Sequence, residues 1–148
     1  MAFPPLVHHA SEDDYRKHFE RVYCRRPVET FDGIKVRFRK GQFSHCFFES
    51  SRRDGNKDAF SPQRAERIDW IKATLQDPDA ELYVGWDKAR KRYDRSRRVA
   101  LVQGNYVVVI RITGKAKADF VTAFVGDTPR PRGGKTSVEQ IRGGPRWE

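Results

Sequence analysis

The sequence predicts an α+β domain in which N-terminal helices pack on a mainly four-stranded antiparallel sheet, followed by a flexible C-terminal tail. Three observations carry that fold class. A capped, helix-periodic stretch covers residues 11–26, a second follows Ser61-Pro62, and four apolar runs, separated by a basic stretch and two short connections, occupy residues 81–125.

In the first stretch Ser11 is placed to cap a helix and Glu12, Asp13 and Asp14 fill its first turn, with Asp14 at the capping-box position. Tyr15, His18, Phe19, Val22 and Tyr23 then recur at helical spacing. Arg21, Arg25 and Arg26 suit the negative end of the helix dipole, and Pro27 stops it. Residues 34–39 alternate, which predicts a strand with one apolar and one basic face. Lys40-Gly41-Gln42 reads as a turn and residues 43–49 as a second extended run, so the two form a hairpin. Residues 51–59 form a polar loop made basic by Arg52, Arg53 and Lys57. Ser61, followed by Pro62 at the first helical position, opens a helix that reaches about residue 76, where Asp77-Pro78-Asp79 ends it. Strands at 81–86, 97–102, 105–112 and 118–125 follow as a meander, with Gly104 marking a tight hairpin.

Residues 1–128 make one domain, and 129–148 a flexible basic tail whose prolines and paired glycines carry no periodicity. The chain is long enough to bury a core without staples. Cys24 and Cys46, the two cysteines, read as small buried thiols in a reducing, cytoplasmic compartment. The longest apolar run, 106–110, is far short of the roughly 20 residues of a spanning helix, and the two prolines near the start argue against a signal peptide.

Lys and Arg number 30 against 20 Asp and Glu, a formal net charge of +10. Residues 1–29 are balanced, and most of the excess falls within residues 30–128, which favours a polyanion-binding surface over a simple basic tail. Residues 87–98 concentrate basic side chains around Tyr93 and follow Trp86. Cations interleaved with aromatics suit single-stranded nucleic acid, and a solvated hairpin loop explains them equally well.

No metal-ligand spacing is present, and neither is a GxGxxG or Walker loop. His8 and His9 fall in an N-terminal stretch without pattern, and His18 on the first helix. On the second helix Arg64 falls inside the apolar stripe, with Arg67 at its edge. Such an arginine serves either a structural salt bridge or a phosphate in a shallow cleft. His45 lies among Phe43, Phe47 and Phe48 with Glu49 at the same strand parity, a setting that tunes an imidazole for proton transfer or simply packs it. Thr122 shares its predicted face with Phe120 and Phe124, where a threonine is also ordinary.

The stretches Phe43-Ser-His45-Cys-Phe47-Phe48-Glu49, Arg64-Ala-Glu-Arg67-Ile-Asp-Trp70-Ile71, Leu75-Gln-Asp-Pro78-Asp, Arg98-Val-Ala, Asn105-Tyr-Val-Val-Val-Ile110 and Phe120-Val-Thr122-Ala-Phe124 occur in that order. Together they resemble the phage-associated, nuclease-like branch of the barnase–EndoU–colicin–RelE superfamily over roughly residues 34–126. The resemblance implies helices followed by a four-stranded sheet and metal-independent, cofactor-free cleavage of RNA, such as tRNA, by a toxin or a phage or mobile-element effector. It implies His45 as general acid or base, Arg64 and Arg67 as phosphate stabilisers, Thr122 as a donor to a phosphate oxygen and Glu49 as a proton-transfer partner. Arg52, Arg53, Lys57, Trp86, Arg97 and Arg98 are the RNA-binding candidates. A monomer acting on RNA, with an immunity or antitoxin protein as its protein partner, is expected. A non-catalytic RNA- or DNA-binding module and a phage adaptor for an acidic protein are the competing readings.

Overall fold

A computed structural model describes residues 3–49, 59–87, 90–94, 98–126 and 137–147. Helix α1 (Glu12–Phe19) begins where the sequence places it, with Ser11 Oγ accepting from Asp14 N at 3.2 Å. It runs on as a wider π-helical turn, Glu20–Cys24, which places Tyr15, Phe19 and Tyr23 in the core together. The Tyr23 hydroxyl donates to Ile68 O at 2.6 Å and accepts from Lys72 N at 3.0 Å.

Strands β1 (Val28–Glu29) and β2 (Lys35–Arg37) follow. The predicted second strand of the hairpin is instead helix α2 (Gln42–Phe47), continued by β3 (Phe48–Glu49). Phe43, Cys46 and Phe47 lie three and four residues apart, so a helix turns all three inward, whereas a strand would have turned Cys46 away from both phenylalanines. Strand β4 (Ala59–Phe60) pairs with β3.

The single helix expected after Ser61 is two, α3 (Pro62–Ala65) and α4 (Ile68–Leu75). Arg67 leaves helical geometry between them (φ −96°, ψ 19°), and the Glu66 carbonyl accepts from Val7 N at 2.8 Å. The N-terminal stretch is therefore an ordered strap. Phe3 stacks on Trp70 with centroids 4.0 Å apart, and Trp70 Nε1 donates to Pro4 O at 2.8 Å.

The remaining strands are β5 (Glu81–Val84), β6 (Trp86–Asp87), β7 (Arg92–Tyr93), β8 (Arg98–Gln103), β9 (Tyr106–Gly114) and β10 (Lys117–Val125). The β8–β9 hairpin turns at Gly104, whose φ of +60° suits glycine. The main sheet has six strands rather than four, in the order β1-β2-β10-β9-β8-β5. It is antiparallel except where β2 joins β10 in parallel, which is how the two N-terminal strands enlarge the predicted meander.

One face of the sheet, through Val99, Leu101, Val108, Ile110 and Phe120, packs against α1 to α4. The other, through Tyr83, Ala100, Val102 and Val107, packs against Val138 and Ile141 of a fifth helix, α5 (Ser137–Arg142). Helices thus cover both faces of the sheet. Residues 137–147 also depart from the flexible tail expected there: after α5, Val84 N donates to Pro145 O and Trp147 N to Leu82 O, extending the sheet beyond β5.

Gly126 lies under α5, its carbonyl accepting from Val138 N at 2.8 Å. A Cβ there would stand 3.0 Å from Val138 N. Gly126→Ala is expected to cost about 1–3 kcal/mol in denaturant unfolding, with α5 amides losing protection first. Burial also lifts the Tyr23 and Tyr106 phenols far above their ordinary value of 10.0. Since only the unfolded chain ionises there, stability should fall as pH rises above 10.0. Tyr23→Phe should flatten that fall while costing only about 1 kcal/mol at neutral pH, because the two backbone groups that lose the phenol belong to one helix, α4, and stand four residues apart within it.

Candidate nucleic-acid interface

Strand β2 pairs with β10 only from Lys117 to Asp119. Past that point α2 takes over the edge of β10. Gln42 Nε2 donates to Phe120 O, and Cys46 Sγ lies 3.7 Å from Ala123 O, its acceptor. His45 and Thr122 are thus each one residue from a contact that joins the two elements. His45 is exposed on α2, not mid-strand among phenylalanines.

The C-terminal end of α2 is held by Arg64. Its Nη1 donates to Cys46 O at 3.3 Å, and its Nε lies 3.4 Å from Glu49 Oε1. Ser61 Oγ donates to the same carboxylate oxygen at 3.1 Å while accepting from Arg64 N at 3.3 Å as the α3 cap. Of the two roles open to Arg64, the salt bridge is the one seen. Arg67 belongs to a different neighbourhood. Its Nη1 contacts Gln63 O and Glu66 Oε1, and its guanidinium lies 5.1 Å from the Trp70 ring centroid.

Thr122 does not share a face with Phe120. The β9–β10 register shifts between those residues, leaving Val121 as an extra residue of a bulge. Phe120 enters the core under the helices. Thr122 pairs with Val109 and lies, with Phe124, on the opposite face. Arg52, Arg53, Lys57 and Arg97 lie outside the described residues. Trp86 and Arg98 are placed by their backbones in β6 and β8.

The Thr122 face carries a feature that the sequence shows only in part. Arg37, Asp119, Arg111 and Arg98 occupy successive register positions across β2, β10, β9 and β8. Lys35 is paired directly with Lys117. Lys35, Arg37, Arg111 and Lys117 are exposed, and Asp119 is flanked by Arg39 at 3.6 Å. Like charges placed opposite one another on a sheet oppose folding, and a polyanion laid across them would offset that cost. The alternation at residues 34–39 announces the basic face of β2. Nothing local marks Arg111 as its neighbour, because cross-strand register is set by the fold. Among the described residues no group of three or more His, Cys, Asp or Glu could hold a metal ion.

Comparison with family models, with curated proteins and with solved structures finds no match.

The contacts of Arg64 predict that Arg64→Leu lowers stability by about 1 kcal/mol, chiefly through the stranded Cys46 carbonyl, because its pair with the half-exposed Glu49 is screened by solvent. Ser61→Ala should cost a similar amount, about 0.5–2 kcal/mol, by removing the α3 cap. Thermal melts of the two variants and their double mutant should show less than additive losses, since both groups hold Glu49.

Proposed function

We propose that this domain binds RNA across the open, basic part of the sheet and cleaves it at the β10 edge, without metal, through the RNA 2′-hydroxyl. The observation that carries this is the juxtaposition just described. The row Arg37–Asp119–Arg111, with the Lys35–Lys117 pair beside it, lies on the same face as Thr122, and α2 runs along the β10 edge with His45 next to its Cys46 contact. Endoribonuclease chemistry itself comes from the family resemblance of the sequence. The basic face supports the choice of a polyanionic substrate.

In this mechanism the 2′-oxygen attacks the adjacent phosphorus and the bond from phosphorus to the 5′-oxygen breaks, leaving a 2′,3′-cyclic phosphate. The 2′-proton passes to a base and the departing 5′-oxygen receives one from an acid. His45 is the group assigned to proton transfer, being an exposed imidazole on the helix that runs along the β10 edge. The Thr122 hydroxyl donates to a nonbridging phosphate oxygen, and Arg37 and Arg111 hold neighbouring phosphates. Arg64 and Glu49 act one step removed. By tying α2 to α3 they fix where His45 is presented, which leaves Arg64 a positioning residue rather than a phosphate ligand.

Incubation of the purified protein with total RNA in EDTA, with the product ends analysed, tests the chemistry. Cyclic-phosphate ends are expected, His45→Ala should slow cleavage by about 10²–10⁴-fold, and Thr122→Val by about 10²–10³-fold, each with RNA affinity little changed. Arg111→Glu should weaken RNA binding and flatten its dependence on salt. Salt-dependent binding without cleavage would replace the enzyme with a binding module. Unchanged binding by Arg111→Glu would remove the sheet face from the interface.

A further inference from the structure

A titratable cluster lies away from the RNA site, under the N-terminal strap. His9 Nε2 and His18 Nδ1 are 3.0 Å apart, and His18 Nε2 is 2.8 Å from Asp69 Oδ1. His18 is 8% exposed, and His9 is half-buried. The ionised Asp69 carboxylate can only accept, so His18 Nε2 carries a hydrogen. In a neutral His18 the Nδ1 atom is then the acceptor, and His9 Nε2–H donates to it.

Proton counting sets the behaviour of this chain. One added proton, on His9 Nδ1, leaves every one of these hydrogen bonds intact. With a second proton, both facing nitrogens carry hydrogen, and neither can accept. Two cationic rings would then confront each other at the 3.0 Å contact. Asp69, from α4, is the carboxylate bonded to the pair. Tyr15, from α1, donates to Val7 O at 2.8 Å and accepts from His9 N at 3.1 Å. Glu66, at the α3–α4 break, faces His8 at 3.8 Å and is paired with Arg67 at 3.1 Å. The Tyr23 hydroxyl, also against α4, is engaged by its backbone.

We propose that the His9–His18–Asp69 chain is a pH-operated latch, in which uptake of a second proton by the two imidazoles frees residues 3–9 from the helices while the sheet stays folded. Among the described residues the strap's other hydrogen bonds are Val7 N to Glu66 O, Trp70 Nε1 to Pro4 O and the two through the Tyr15 hydroxyl, and these must give way with the histidine contact. Its release lifts Phe3 from Trp70 and Tyr106, which it contacts at centroid distances of 4.0 and 6.2 Å, and uncovers an aromatic surface.

The test is nuclear magnetic resonance of the full-length ¹⁵N-labelled protein between about pH 8 and pH 4, spanning the ordinary imidazole range near 6.5. The Trp70 indole N–H, bonded to Pro4 O, reports the strap, and the Val108 amide reports the sheet. The indole resonance should shift on acidification, with a loss of exchange protection of about tenfold or more, while Val108 stays protected. His9→Gln, which keeps an amide donor but cannot take a proton, should hold the strap closed across the range. His9→Ala should leave it loosened even at the alkaline end. An indole signal indifferent to pH, loss of Val108 protection in the same step, or an unshifted transition in His9→Gln would each overturn the latch.

Discussion

The Tyr23 hydroxyl bridges two backbone groups of α4. In α4 the Ile68 carbonyl and the Lys72 amide stand four residues apart, as the acceptor and donor of one helical bond do, and the phenol bonds to both. A side chain of α1's continuation is thereby tied directly to the backbone of α4. Tyr23 lies in the π-helical turn Glu20–Cys24, on the same buried side as Phe19, its ring centroid 5.6 Å from that of Phe19. Burial pushes the phenol's ionisation far above its ordinary value, so it keeps its proton, and with it its role as donor, through the neutral range. Asp69 and Trp70, which hold the N-terminal strap, ride on the helix so fixed.

From this anchored helix layer the sheet gains its asymmetry. The face beneath α1 to α4 is closed by an aromatic cluster in which Phe19, Phe38, Phe43 and Phe47 meet ring against ring. The opposite face is covered at one end by the short α5 and left to cations at the other. Two kinds of cover thus divide a single sheet surface. The boundary between them runs past Thr122, where the bulge at Val121 changes which side chains face out.

Much of this was legible in the residues. The Ser11 cap, the Ser61-Pro62 helix start, the Gly104 hairpin and the three central strands lie where local chemistry places them, because each rests on neighbours in the chain. The failures share a cause in tertiary context. The run from Phe43 to Phe47 satisfies a period of two through Phe43, His45 and Phe47, and a helical period through Phe43, Cys46 and Phe47. Only the bare edge of β10 decides between them. A one-residue bulge inverts a face without any mark in composition, so strict alternation groups Thr122 with Phe120 while the fold sets them on opposite faces. The N-terminal stretch around His8 and His9 shows no pattern, yet Pro4 lends its carbonyl to Trp70. For the site, the assignment of Arg64 hinged on a partner 15 positions away in the chain, Glu49. His9 and His18 carry no spacing that announces their meeting.

The parallel pairing of β2 with β10 has a consequence for how the chain reaches its shape. It joins Lys35 to Lys117, closing a loop of roughly 80 residues. The β8–β9 and β9–β10 hairpins, by contrast, close over turns of two residues. A chain emerging from its N-terminus can form α1 early, but β1 and β2 have no sheet to join until β10 has been made. The C-terminal meander is therefore the template, and the N-terminal strands are recruited to it last. Until then the edge that α2 and β2 will cover stands open, so the interval before their arrival is when the polypeptide is most exposed to pairing with a stray strand.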